Sequence, residues 1–556
     1  MMGIIVSLVF FGIIVAAVWS PLQKASREKK VAIAARARAN DLASAKQQAL
    51  AKKAADPRPK FPIAVTTGTA LQRGHHGAPP RNRTLWMYMR DLCQGILVIA
   101  PPGRGKTFLV ASPYVQWMAS SEQTGIFAFA VKRDFAVALE NQIRAKRPKA
   151  NIIRVGPGFA KWSLMDGLPP DAVAGFIRTV GTRGGVSDST WSDAATLHTS
   201  SCALLLWSLT DAGRTPFTYH TEVNNGTDTV EQTLRYNFID LHRIANLVGE
   251  PWEQIAMEAR ALSTILKVQG HADRAEQIEI ALDARKLEFD GLGDKTRSSV
   301  LMSVNNVLGP LVRDVELRRT FAGDTDVRLT DLDNGACIIL DIDIDQFRAS
   351  AEFLFMLAFE QFSGFGMRRA TYATNMVAFI GDEFSAYASA RTMDFFALSR
   401  SAKIAPLLII QSMSQLITKV GNRRETAHAI ADTMGSLVVM TGRDPETISY
   451  VTQIVGQADI TMESTSTARG TNTGTSNSTS FSPGSGGSGE SYGESETTTT
   501  SSSLQQRQVF DAHLLRTLKS YFPEEGSGER AWAQAVGFVL SDGKIVDDVV
   551  TLWSPG

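Results

Sequence analysis

The sequence predicts an α/β protein with an all-α segment set into it and an apolar span at the N-terminus. Three patterns lead there. Short, largely apolar runs at 96–100, 125–131, 336–342 and 407–410 alternate with helix-length periodic segments. That is the pattern of a parallel sheet covered by helices. Between about 171 and 319 strand-like runs become few and a 3.6-residue period dominates. Residues 1–19 are uninterruptedly apolar, long enough to cross a bilayer once.

Length and charge set the bounds. The 556 residues exceed what one compact core holds, so about two to four domains are expected. A net charge of +1 gives no global preference for nucleic acid, and any basic surface has to be local. Cys93, Cys202 and Cys337 are far apart in apolar surroundings, without metal-ligand spacing, and read as reduced, buried thiols.

In chain order, residues 1–20 are expected to form a transmembrane helix. No positive region precedes the apolar run and no clean cleavage site follows it, which argues against a signal peptide. The flank 21–60 carries eleven Lys and Arg against three acids. This places the N-terminus outside and the bulk of the chain in the cytoplasm. The flank reads as a basic juxtamembrane helix, lying along anionic lipid or serving as a solvated linker.

A globular part begins near Phe61. Within 61–170, the run 96–100 leads into Pro101-Pro102-Gly103-Arg104-Gly105-Lys106-Thr107-Phe108. Strand, glycine-rich turn, Gly-Lys-Thr and an apolar helix start are the context of a phosphate-binding P-loop. Residues 102–108 are therefore candidate nucleotide ligands. Lys106 supplies charge to the β- and γ-phosphates of ATP, and Thr107 offers a hydroxyl to Mg²⁺. The first glycine of the motif is replaced by Ala100.

Residues 171–320 are expected to be all-α, with a polar loop at 224–228. The sheet resumes in 321–556. There, 375–384 is a hydrophobic strand ending in Asp382-Glu383. In P-loop ATPases the first such acid belongs to the Mg²⁺ shell and the second polarises the attacking water. The strand 407–410 ends in Gln411, an amide able to sense the γ-phosphate. Arg400 precedes that strand. From the residues alone it is a surface cation capping a helix C-terminus, or an arginine finger acting across a subunit boundary. Residues 464–503 are almost wholly Ser, Thr, Gly and Asn with four charges, and are expected to be disordered. A hairpin over 533–546 closes the sheet.

These motifs carry a resemblance. Ala-Pro-Pro-Gly-Arg-Gly-Lys-Thr at 100–107, Phe-Ile-Gly-Asp-Glu-Phe at 379–384 and Ile-Ile-Gln-Ser-Met-Ser-Gln-Leu at 409–416 resemble the coupling-protein ATPases of type IV secretion and bacterial conjugation, the TraG/TraD type. Trp191 with the helix after it, and Thr441 to Thr447 with Gly456, are similar too. The family implies a RecA-like P-loop core with the all-α domain inserted. It also implies a homo-hexamer anchored in the bacterial inner membrane that brings relaxase-bound DNA, or protein, to other secretion components at the channel. By position, Lys106 and Thr107 match the phosphate and Mg²⁺ ligands, and Asp382 and Glu383 the metal-binding and water-activating acids. Gln411 matches the sensor and Arg400 the trans-acting arginine. Many members have two transmembrane helices where this sequence shows one, and the strand that commonly ends in Asp-x-Lys reads Ala130-Val131-Lys132. Two other roles are compatible with the sequence: a substrate-recruiting platform in which ATP acts mainly on assembly, and a DNA segregation or packaging motor with the same core.

Overall fold

The computed structural model describes residues 60–75, 77–183, 189–223, 228–476, 489–523 and 529–554. The span expected over 1–20, and its flank up to residue 59, lie outside the described residues. Among the described residues no helix is long and apolar enough to cross a membrane.

The described chain enters a mixed sheet through two antiparallel strands, β1 (Lys60–Thr66) and β2 (Thr84–Tyr88). Then come β3 (Ile96–Ile99), β4 (Gly125–Ala130) and β5 (Ile152–Val155). In β3 and β4 nearly every side chain is fully buried, as expected of strands covered on both faces. Alternation divides them. Leu97, Ile99, Phe127 and Phe129 enter one core. Ile96, Val98, Ile126 and Ala128 enter the other, beneath the helices Ser112–Ala119 and Arg133–Lys146.

After β5 the chain runs through the helices Pro170–Arg183, Ser189–Leu209, Phe238–Asn246, Glu250–Val268, Ala272–Arg285 and Asp294–Arg313. This stretch, expected to be all-α, also contains a hairpin of β6 (Phe217–Val223) and β7 (Asp228–Leu234), paired from Phe217↔Leu234 to Val223↔Asp228. Thr-, Tyr- and Val-bearing runs flanking Asn225-Gly226 are its sequence signal.

The sheet resumes with β8 (Cys337–Asp341), β9 (Val377–Gly381), β10 (Ile404–Ile410) and β11 (Ser436–Met440). The helix Ala349–Arg369 crosses from β8 to β9 and is buried along most of its length. Beyond β11, β12 (Gln457–Ser476) and β13 (Gly489–Gln508) pair antiparallel from Gln457↔Gln508 to Ser476↔Gly489. Composition predicts disorder over most of this stretch. The backbone instead forms a separate two-stranded ribbon, for which threonine is a strand-favouring residue and main-chain hydrogen bonds require no buried face.

The chain returns through β14 (Ser520–Tyr521) and closes with the hairpin β15 (Trp532–Ser541) and β16 (Lys544–Trp553). Its turn residues Asp542 and Gly543 have φ of 55° and 73°, the mirror-image turn that matches strand twist. The main sheet runs β2-β1-β16-β15-β11-β3-β10-β9-β4-β8-β5, with β14 beside β15. From β11 to β5 every pairing is parallel. The C-terminal ends of β3, β9 and β10 therefore lie side by side.

Candidate active site

The glycine-rich turn leaves β3 at this edge. Ala100 donates its N–H to the Ile410 carbonyl at 3.0 Å, so the turn is anchored to β10 before it begins. Gly103 and Gly105 have φ of 73° and 79°, a region that disfavours side chains. A Cβ on Gly103 would meet nothing within 4 Å, so its requirement is conformational. A Cβ on Gly105 would lie 2.7 Å from the Phe522 ring. Lys106 leads into a π-type turn, Thr107–Ala111, which continues as the helix Ser112–Ala119. Pro102, Gly103, Arg104 and Phe108 are exposed, and Lys106 and Thr107 are half-buried.

The acids arrive from two strands away. Lys106 Nζ lies 2.5 Å from Glu383 Oε1, and Gln411 Nε2 donates to Glu383 Oε2 at 3.0 Å. Lys106 thus pairs with a carboxylate 277 positions away in sequence, and Gln411 binds that carboxylate's other oxygen. Glu383 reaches both partners from a left-handed backbone, φ 45° and ψ 43°, which a non-glycine residue adopts at a cost of about 1–2 kcal/mol.

Asp382 is different. It is buried, and its Oδ1 has no hydrogen-bond partner. Burial, and then the charge of Glu383, push its carboxyl up to about 6, while Lys106 and Lys132 pull it back. Tyr387 Oη donates to the Asp382 carbonyl at 3.2 Å and fixes the turn from beneath.

Behind Gln411, Asp444 holds the neighbouring loop. Its carboxylate accepts from Ser414 Oγ at 2.5 Å and Thr447 Oγ1 at 2.6 Å. Burial opposes its charge, but these hydrogen bonds outweigh it and hold the carboxyl below its ordinary range.

Lys106, Glu383 and Gln411 are in direct contact, with Asp382 and Thr107 beside them in sequence. Arg400 is not brought there. It lies exposed between the helix Ala390–Leu398 and the start of β10, and seven strand residues separate that end from Gln411, about 20 Å of rise. Sequence reasoning passes over Tyr387 and Phe522. Tyr387 follows the acids by a few residues and lies in an aromatic-rich stretch, a signal too general to use. Phe522 reaches the P-loop only through the pairing of β14 with β15.

A family model described as the TraM recognition site of TraD and TraG matches residues 376–520. No curated protein matches the chain. Among solved structures, the bacterial conjugative coupling protein TrwBdeltaN70 in its unbound monoclinic form aligns with a TM-score of 0.52 at 12% identity, over 89% of this chain and 94% of that one. TrwB in complex with the non-hydrolysable ATP analogue ADPNP gives 0.51 at 13% identity, over 89% and 95%. TrwB in complex with ADP and Mg²⁺ gives 0.51 at 13%, over 89% and 94%. This chain has the mixed α/β fold of those proteins, with its large parallel sheet. The resemblance to TraG/TraD-type coupling proteins read from the sequence is therefore carried by a family match over 376–520 and by the fold.

Proposed function

We propose that this chain is a membrane-anchored ATPase that couples a DNA–relaxase or protein substrate to a type IV secretion channel. It drives translocation as a ring-shaped, hexameric RecA-like motor. The observation that carries this reading is the contact of Lys106, Glu383 and Gln411 at one edge of the parallel sheet. Similarity to TrwB, whose structures hold ADPNP, or ADP with Mg²⁺, supports it.

The residues suit the nucleotide. The turn at 103–106 can present backbone N–H groups to phosphates without a Cβ in the way. Lys106 exchanges Glu383 for the β- and γ-phosphate oxygens. Glu383, released from the lysine, accepts a hydrogen bond from the attacking water, and Gln411 holds that carboxylate in place. The orphaned Oδ1 of Asp382 is a ligand atom without a protein partner. Thr107 and Asp382 would hold magnesium, which supplies neutralisation of phosphate charge. Arg400 acts on the site of a neighbouring subunit.

Lys106→Ala should abolish ATP hydrolysis without unfolding the chain, read as phosphate release and a retained melting transition. Normal turnover would refute the site. A second reading is favoured by the family match over 376–520, whose description names a recognition site. In it the chain is a docking platform and ATP acts mainly on assembly. DNA-stimulated hydrolysis favours the motor. Hydrolysis indifferent to DNA, with tight binding of a secreted partner by the helical segment 171–320, favours the platform.

A further inference from the structure

The motor reading leaves unassigned what receives the nucleoside end of ATP. The sheet order supplies a direction. Across its C-terminal edge the sequence is β9, β10, β3, β11, β15, with β14 beside β15. Glu383 and Gln411 follow β9 and β10, on one flank of the phosphate turn. A triphosphate whose terminal group meets these residues must carry its nucleoside away from them, towards the β11–β15 flank.

Phe522 stands on that flank. It follows β14, whose Ser520 and Tyr521 pair with Ala533 and Trp532. The preceding helix Ala512–Thr517 is tied to the end of β11 by the hydrogen bond from Thr441 Oγ1 to the Arg516 carbonyl at 3.4 Å. The ring lies so close to Gly105 that a Cβ there would come within 2.7 Å of Cε1 and 2.8 Å of Cζ, yet Phe522 remains 44% exposed. Among the described residues, two other phenylalanines are exposed, Phe108 and Phe159. Phe159 is covered by the Arg133 and Arg154 guanidinium groups. Phe108 follows Lys106 by two residues, within the turn Thr107–Ala111. Phe522 is thus a large exposed ring beside the phosphate turn, where a nucleoside would need an apolar surface.

We propose that Phe522, contributed from near the C-terminal end of the chain, is the aromatic platform on which the base of the bound nucleotide stacks. This rests on the nucleotide-site reading above. A ring face reads no hydrogen-bonding edge, so the platform tolerates any purine.

The test uses the full chain and calorimetric titration of two probes, ATP and inorganic tripolyphosphate. Phe522→Ala should weaken ATP about 10-fold, in the range found for base–aromatic stacking, and leave tripolyphosphate unchanged. Phe522→Leu, which keeps apolar bulk without a ring, should lose as much, and Phe522→Trp should restore ATP binding. Equal losses for both probes would mean that the ring only shapes the phosphate turn, and would overturn the proposal. So would unchanged ATP binding in the leucine variant, which decides the matter if the alanine variant fails to fold. Lys106→Ala serves as the separate control. If it weakens neither probe, the nucleotide site itself is wrong. If it weakens both while the Phe522 variants do not separate them, only the platform fails.

Discussion

Asp382 and Glu383 are adjacent in sequence and opposite in environment. Glu383 shares its two oxygens between an ammonium and an amide. Asp382 has a buried oxygen with no partner at all. Glu383 takes a left-handed backbone, φ 45°, while Asp382 before it is buried at the strand tip. The cost falls on Asp382, whose carboxyl is raised from 3.8 to about 6. With the folded-state value above the unfolded one, the unfolded chain releases its proton first as pH rises. Below about pH 3 both states are protonated and nothing is lost. From about 3 to 6 the penalty grows, and above 6 it reaches about 3 kcal/mol. Asp382→Asn should therefore stabilise the nucleotide- and magnesium-free protein at pH 8 by an amount of this order, and by almost nothing at about pH 3, while eliminating hydrolysis. Denaturant unfolding at the two pH values measures it. An equal effect at both would show that the raised carboxyl is not the cause. The pair of acids is legible in the sequence, because a hydrophobic run ending in Asp-Glu marks a strand tip. Which of the two is stranded is not, since that depends on which carboxylate the fold buries.

The strands and helices that aim these groups are held from behind by aromatic packing. Phe127, Phe129 and Phe379, from β4 and β9, meet Phe355, Phe359 and Phe362 of the helix Ala349–Arg369, with ring centroids 4.6–5.6 Å apart. Tyr387 closes the cluster against Phe129 at 5.0 Å and directs its hydroxyl to the tip of β9. Gly381 is there because a Cβ would stand 2.7 Å from that hydroxyl, and a ring packed on several sides cannot retreat. Gly381→Ala should cost about 1–3 kcal/mol, and less in a Tyr387→Phe background. The same cost in both backgrounds would remove the hydroxyl from the explanation. On the next loop, Asp444 caps the helix Pro445–Val455 and holds Ser414. Asp444→Ala should lower stability by about 1–2 kcal/mol and also reduce kcat, because the segment after Gln411 loses its anchor. Loss of stability with unchanged kcat would confine Asp444 to the cap. The fully buried strands β3, β4, β8 and β10 are legible as unbroken apolar runs. Their order is not, since nothing in a run says which neighbour it pairs with. Nor does the sequence reveal Phe522 as a neighbour of the P-loop, because β14 is two residues long and pairs with residues beyond it in the chain.

The molecule as a whole places its candidate chemistry at one end of the sheet and Arg400 at the other. β10 runs between them, with Gln411 at its end and Arg400 before its start. An arginine side chain spans only about 7 Å, roughly two strand residues, so Arg400 cannot reach the nucleotide of its own chain. If it is catalytic, the site is completed by a second copy, and the active species is an assembly. Complementation then follows. Lys106→Ala removes the phosphate-binding ammonium but keeps a sound Arg400; Arg400→Ala does the reverse. Each variant alone should be inactive, and the arginine variant should still bind ATP with near-normal affinity because its own P-loop is intact. Mixed in equal amounts, they form some interfaces that combine an intact P-loop with an intact arginine. Hydrolysis should then return to a fraction of the wild-type rate, and the wild-type rate itself should fall steeply on dilution as the ring dissociates. Full activity of Arg400→Ala alone would return the residue to the surface role its exposure also allows. Inactivity that no mixing rescues would point to a structural role within one chain. Only rescue requires a neighbour's arginine, and it would establish the ring from catalysis alone.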